Sequence, residues 1–186
     1  MVTDAKLELR CGDMENKKEK LQTKRLMLKA LDECDRQPML DIFFNEDIKK
    51  TYMLPDFKDK KQAEELFEKL VNLSRTDDHF VYGIYFNDTL VGLVNDCEIK
   101  DLTIEIGYLI ATEYQGRGFA TEAVRGCIDE LFRMGFEHIT AGFFRENIAS
   151  CRVMQKCGMH KIDLEDDIEY KGVLHHCLYY GIDKAY

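Results

Sequence analysis

The sequence lacks several features that would place it in whole classes of protein. It contains no run of about 18 apolar residues that could span a bilayer, and residues 1–20 are mostly charged, without the apolar segment of a signal peptide. Only two prolines, Pro38 and Pro55, and no internal repeat interrupt the chain. We therefore expect a cytoplasmic protein without membrane contacts. It should have an N-terminal extension over residues 1–20, ordered in part at most, and a single domain over residues 21–186.

Patterns typical of metal-binding and nucleic-acid-binding proteins are also scarce. The seven cysteines include no C-x-x-C pair and no Cys/His cluster at zinc-ligand spacing, so we expect reduced core thiols and no metal. The formal charge of −9 would repel the phosphates of nucleic acids and of anionic membranes. It mildly favours a cationic substrate, although an acidic surface also keeps many proteins soluble. A monomer and a homodimer both stay open.

Hydrophobic periodicity predicts an alternation of strands and helices. A strand over residues 25–31 is followed by a short helix from about Pro38 and by a helix capped by Asp59. Three antiparallel strands should come next, at residues 79–86, 89–99 and 102–110, with a hairpin at Asn87-Asp88. The period then changes to 3.6 residues between Ala120 and Leu131. The remaining elements are a strand at 137–144, a helix at 148–156, and strands near 161–168 and 174–182. This order predicts an α/β protein with a mixed sheet.

A glycine-containing loop joins a predicted strand to the amphipathic helix. Free N–H groups of the first helical turn, at the positive end of the helix dipole, can bind phosphate oxygens. Gly116 and Gly118 would permit close approach, Arg117 could add a charge-assisted contact, and Thr121 could offer a hydroxyl. A simple chain turn is the alternative. The loop matches neither the G-x-x-x-x-G-K-[ST] motif of nucleotide triphosphatases nor the full G-x-G-x-x-G fingerprint.

The segment Gln115-Gly-Arg-Gly118-Phe-Ala120 resembles the motif Q/R-x-x-G-x-G/A, which the GNAT superfamily of N-acetyltransferases carries at the start of its cofactor helix. Further motifs are similar to the Rim-type branch, the ribosomal-protein alanine/serine N-acetyltransferases. They are L-x-T-x-R-L-x-L at residues 21–28, E-I-G-Y at 105–108, N-x-x-S at 147–150 and K-x-G-M at 156–159. The resemblance implies a GNAT-like fold of the mixed α+β class. Its largely antiparallel central sheet would be splayed in the middle and flanked by about four helices.

The resemblance also implies an acetyl-CoA-dependent N-acetyltransferase. Acetyl-CoA would be the acyl-donor cosubstrate, and the acceptor a primary amine, either a protein N-terminal α-amine or a small amine. Glu105 is the expected general base, directly or through a water, unless it is an ordinary solvent-facing glutamate. Ser150 is expected to hydrogen-bond the CoA sulfur, unless it only caps a helix. The expected cofactor-binding residues are Tyr108, Leu109, Ile110, Gln115, Gly116, Arg117, Gly118, Phe119, Ala120, Thr121, Asn147 and Ser150.

One departure from the family pattern bears on the mechanism. Met154 stands where many superfamily members carry the tyrosine that protonates the leaving thiolate. A non-catalytic acyl-CoA-binding module on the same fold is therefore an alternative, beside a nucleotide-binding regulator that uses the glycine loop. Cys151 could serve as a nucleophile in a ping-pong route, although no histidine stands at a convincing position. The acidic run at residues 163–169 could line an acceptor pocket or form a solvated loop.

Overall fold

Eight strands form one mixed sheet in the computed structural model, which describes residues 17–185. Their order in the sheet is β1-β2-β3-β4-β5-β6-β8-β7. The strands are β1 (Lys20–Gln22), β2 (Leu26–Lys29), β3 (Tyr82–Phe86), β4 (Thr89–Lys100), β5 (Thr103–Ile110), β6 (His138–Phe144), β7 (His160–Tyr170) and β8 (Val173–Asp183). The helices are α1 (Arg36–Phe44), α2 (Glu46–Lys49), α3 (Lys60–Ser74), α4 (Phe119–Met134) and α5 (Ile148–Lys156). The predicted α/β class with a mixed, largely antiparallel sheet is confirmed.

One α-helix and one strand, both short, were not predicted. Within residues 17–185 there are five α-helices rather than about four, because Asn45 caps the single turn α2 by accepting hydrogen bonds from the amides of Asp47 and Ile48. The other is β1, which pairs with β2 at the sheet edge. Most of the predicted N-terminal extension lies outside the described residues. Of the part within them, Lys17 donates from Nζ to the carbonyls of Ser74, Thr76 and His79, at 3.3, 2.7 and 2.8 Å.

Local sequence signals account for most element boundaries. Asn87 and Asp88 have φ values of 49° and 61°, which is the left-handed geometry of a tight two-residue hairpin between β3 and β4. The Asp59 side chain accepts a hydrogen bond from Gln62 N at 3.0 Å and so caps α3. Helix α1 begins two residues before Pro38, because Asp32 caps a preceding 3₁₀ turn that leads directly into it. Pro38 still lies in the first turn, where its missing N–H costs no helical hydrogen bond.

The sheet buries apolar side chains on both faces. Alternate residues of β3 point to opposite sides: Ile84 packs into the cluster that includes Val124 of α4, whereas Tyr85 packs into the cluster that includes Phe43 and Phe67 of α1 and α3. Each face of the sheet is thus covered by helices, as expected for a layered α/β domain. None of the helices in the described part of the chain is long and apolar enough to cross a membrane.

The sheet opens in the middle, where β5 and β6 run parallel. They pair only where Thr103, Ile104 and Glu105 face His138, Ile139 and Thr140. Beyond Glu105, β5 continues to Ile110 paired only with β4, and β6 continues to Phe144 paired only with β8. The predicted splay is therefore confirmed, and the separated end of β5 leads through the glycine loop into α4.

Candidate active site

The glycine loop presents backbone N–H groups at the start of α4. Gly116 and Gly118 have φ values of +73° and +78°, which only glycine adopts without strain. Glu122 is the first residue of this 16-residue helix whose amide has a protein acceptor, the Gly118 carbonyl at 3.0 Å. Within residues 17–185, the amides of Gly118, Phe119, Ala120 and Thr121 donate to no protein group. Four donors thus point out at the positive helix end, the arrangement that binds phosphate oxygens.

Two side chains hold this loop in place. Gln115 donates from Nε2 to the Ile110 carbonyl at 2.9 Å and ties the loop to the end of β5. Arg25 donates to the Arg117 carbonyl at 3.0 Å and to Glu122 Oε2 at 2.7 Å, and its guanidinium lies 4.7 Å from the Phe119 ring centroid. Arg25 was recognised in sequence as part of a motif but not as a loop anchor.

A groove of about 420 Å³ opens where these N–H groups point. It is bounded by the end of β5, the glycine loop with the first turn of α4, and one face of α5. Eleven of the twelve predicted cofactor-binding residues line it: Tyr108, Leu109, Ile110, Gln115, Gly116, Gly118, Phe119, Ala120, Thr121, Asn147 and Ser150. Arg117 does not line it. Its guanidinium instead donates to the Glu113 carbonyl at 3.1 Å and lies over the Tyr114 ring.

Helix α5 contributes both polar and cationic groups to the groove. Asn147 caps the helix by accepting from Ser150 N at 3.1 Å, and it also lines the groove, so the capping and binding interpretations are compatible. Arg152 and Lys156 line the same groove and were not predicted. Their i, i+4 spacing on a helix that follows the N-x-x-S motif was the signal that could have found them.

The Tyr108 hydroxyl lies 2.8 Å from Ser150 Oγ, across the groove wall. Loss of solvation raises the pKa of Tyr108 above its ordinary range, while the contact with Ser150 acts in the opposite direction. Tyr108 is therefore protonated at neutral pH. The pair can pass a proton from the tyrosine through the serine hydroxyl to an acceptor in the groove.

Glu105 lies outside this groove, in a second, adjacent cavity of about 200 Å³. Six residues line both cavities: Thr51, Tyr52, Ile106, Gly107, Gly142 and Phe143. Burial, and secondarily the charge of Glu98 on the neighbouring strand, raise the pKa of Glu105. A carboxylate with a raised pKa is a better proton acceptor, as a general base requires.

Glycines on the two separated strands line both cavities. A Cβ atom on Gly142 would lie 2.7 Å from Cε1 of Tyr179, so only glycine lets this ring pack against β6. A Cβ atom on Gly107 would lie 3.0 Å from Cys97 Sγ and 3.3 Å from the Tyr52 hydroxyl. A larger residue at either position would therefore displace the side chains that pack there.

Several other candidate residues lie away from the groove. Met154 is fully buried in the core, and Cys151 lies with its Sγ 3.5 Å from the Tyr180 hydroxyl, so no cysteine nucleophile lines the groove. The acidic run forms part of β7, so the loop interpretation is wrong; its acidic side chains are exposed, and of its residues Ile168 lines the second cavity. Residues 17–185 contain no cluster of three or more His, Cys, Asp or Glu side chains that could hold a metal ion.

Comparisons with known proteins bear on the family and the fold. A family model described as an acetyltransferase (GNAT) domain matches residues 25–160. The uncharacterized protein YkkB of Bacillus subtilis strain 168 is 33% identical over 156 residues, covering 78% of this chain and 87% of its own. An acetyltransferase of the GNAT family from Bacillus anthracis superimposes with a TM-score of 0.75 at 22% identity, covering 88% of this chain and 98% of that one. RimL, a ribosomal L7/L12 alpha-N-protein acetyltransferase in complex with coenzyme A, gives a TM-score of 0.77 at 16% identity, covering 89% and 98%.

Proposed function

This chain belongs to the GNAT family of acetyltransferases, and we propose that it transfers the acetyl group of acetyl-CoA directly to a primary amine. The acceptor is a small amine or the α-amine of a protein N-terminus. One observation carries the proposal: a groove with four free N–H donors meets, at the splay, a second cavity that holds a carboxylate. A cofactor in the groove and an acceptor in the second cavity would therefore lie next to each other, which favours direct transfer.

When bound, acetyl-CoA supplies a thioester whose carbonyl carbon the amine nitrogen attacks. The reaction forms a C–N bond, breaks the C–S bond, and requires one proton to leave the nitrogen and one to reach the sulfur. The residues present fit this cosubstrate. The amides of Gly118 to Thr121 suit a pyrophosphate, and Arg152 and Lys156 add positive charge along the same groove.

Glu105 removes the proton from the attacking nitrogen, directly or through a water. Its raised pKa and its place in the acceptor-side cavity support this role. An α-amino group titrates near 7.7 to 8.0, so a useful fraction of such an acceptor is already neutral at pH 7. A more basic alkylamine depends more strongly on the carboxylate.

Tyr108 and Ser150 together replace the acid that the family usually places at the position of Met154. Ser150 lines the groove, and its hydroxyl donates a proton to the leaving sulfur; Tyr108 replaces that proton across the 2.8 Å contact, and solvent then returns a proton to Tyr108. The hydrogen bond between the two hydroxyls supports a relay that begins on β5 instead of α5.

Two measurements test the proposed function. Isothermal titration with acetyl-CoA, CoA and ATP should show binding of acetyl-CoA and of CoA, because the groove suits a pyrophosphate together with a pantetheine arm. Binding of ATP alone would favour a nucleotide-dependent regulator. An assay of CoA thiol release should then be run across amines, including N-terminal peptides, polyamines and aminoglycosides. If CoA binds but no amine releases thiol above background, the chain is an acyl-CoA-binding module.

A further inference from the structure

The cavity that holds Glu105, here called the acceptor pocket, carries one acidic group and no cation. Among the described residues, no Lys, Arg or His lines it. Its other ionisable groups are neutral at pH 7. Burial raises the pKa of Cys177 to about 11, and burial followed by the nearby Glu105 raises the pKa of Tyr179 to about 12. Loss of solvation and Glu105 likewise raise the pKa of Cys97 to about 12.

Most polar side chains of the acceptor pocket already have partners within the protein. Tyr52 donates to Asn95 Oδ1 at 2.5 Å, and Asn95 donates to the Asp96 carbonyl at 2.9 Å. The Thr51 hydroxyl donates to the Ile48 carbonyl at 3.2 Å. Within residues 17–185, only the side-chain oxygens of Glu105 and Tyr179 in this lining have no hydrogen-bond partner. An amine that enters the acceptor pocket therefore finds Glu105 free to accept a hydrogen bond.

The rest of the acceptor pocket is apolar and of limited size. Phe143, Phe144, Met53 and Ile168 line it, and the Tyr179 ring lies against Gly142. A cavity of ~150 Å³ holds a benzene molecule. The ~200 Å³ found here can therefore take an aromatic ring with a short chain of two or three further atoms.

From these features we propose that the acceptor is a small primary amine with an apolar or aromatic substituent and no carboxylate. This inference rests on the proposed function. An ammonium group that enters the acceptor pocket meets Glu105, and aromatic faces can also attract it before its proton is lost. The carboxylate of a free amino acid would instead be desolvated beside Glu105 with no cation to pair with, which opposes binding.

The charge argument can be tested with acceptors that differ in a single group. Phenethylamine lacks a carboxylate, phenylalanine has one, and phenylalaninamide keeps the size of phenylalanine without the charge. Rates should be compared at equal concentrations of neutral amine. We expect kcat/KM for phenylalaninamide within about tenfold of phenethylamine, and for phenylalanine at least about 100-fold lower. Phenylalanine within threefold of phenethylamine would overturn the proposal.

A pair of variants tests whether the missing cation is the cause. Ile168→Lys places an ammonium at the acceptor pocket. It should reduce the ratio of kcat/KM for phenethylamine to kcat/KM for phenylalanine by at least about tenfold. Leu164→Lys adds the same charge on β7 at an exposed residue that lines neither cavity, and it should leave this ratio of kcat/KM values unchanged. Equal effects of the two variants would show that the missing cation in the acceptor pocket is not the reason why phenylalanine reacts slowly. The comparison of the three acceptors with the unmodified protein stands even if Ile168→Lys fails to fold.

The same assay separates this inference from the proposed function. Spermidine and a peptide with a free N-terminus are included as acceptors of other chemistry. If kcat/KM for either is more than tenfold higher than for phenethylamine, the inference of a small apolar acceptor is wrong, while the proposed acetyl transfer stands. If CoA binds and no acceptor of any kind is acetylated, the proposed function itself fails.

Discussion

Gly116 and Gly172 offer a matched pair of substitutions that separates backbone strain from a role in the site. Their φ values are +73° and +75°, and a Cβ atom at either position would have no non-neighbouring heavy atom within 4 Å. Gly116 lines the groove, whereas Gly172 lies in the turn between β7 and β8. Alanine in this left-handed conformation costs roughly 1–2 kcal/mol of folding free energy. For a protein of this length we expect each Gly→Ala change to lower Tm by about 2–8 °C.

Only the change at Gly116 should weaken CoA binding. Its methyl group would project into the groove and hold a phosphate away from the N–H donors, and a charge-assisted hydrogen bond is worth about 1.5–3 kcal/mol. The Kd for CoA should therefore rise about 10- to 150-fold in Gly116→Ala, measured by isothermal titration at a temperature well below both Tm values. Gly172→Ala should bind CoA as the unmodified protein does. A Gly116→Ala protein that keeps its affinity within twofold would refute the pyrophosphate clamp.

Three further variants probe the relay, the base and the N-terminal contact. Tyr108→Phe should lower kcat by about 100-fold with little change in KM for acetyl-CoA, because the relay to Ser150 loses its proton source. A decrease in kcat of less than threefold would exclude this relay. Glu105 has a pKa raised above its ordinary value of 4.5, so its contribution to stability is present below that pH and is lost as pH rises through the raised pKa. Glu105→Gln should therefore raise Tm by a few degrees at pH 7.5 and little at pH 4, and an equal change at both pH values would contradict burial of the carboxylate. Lys17→Met should lower Tm by roughly 3–10 °C, since three carbonyls lose their donor, whereas Met at the exposed Lys24 should leave it unchanged.

Elements with capping or turn residues at both ends could be predicted from the sequence with the correct first and last residues. Helix α5 runs over Ile148–Lys156 as predicted, because Asn147 caps its start and Gly158, with φ of +85°, follows its end. The hairpin at Asn87-Asp88 was predictable for the same reason. Elements of one turn or three residues, such as α2 and β1, were missed because they contain too few residues to show a period. Their position depends on contacts with distant parts of the chain.

The two halves of the candidate site also differ in how well the sequence predicts them. The cofactor side is built largely from consecutive residues, Tyr108 to Ile110 and Gln115 to Thr121, and its donors are backbone N–H groups that need little more than a glycine loop before a helix. Such a design leaves a motif in the sequence. The acceptor pocket instead takes side chains from the segment after α2 and from β4, β5, β6, β7 and β8. Their neighbourhood arises only because β8 inserts between β6 and β7 and because β5 and β6 separate after Glu105. Under the proposed function, specificity for the amine is consequently a property of the sheet topology, and a single substitution such as Ile168→Lys should change it without altering any motif of the glycine loop.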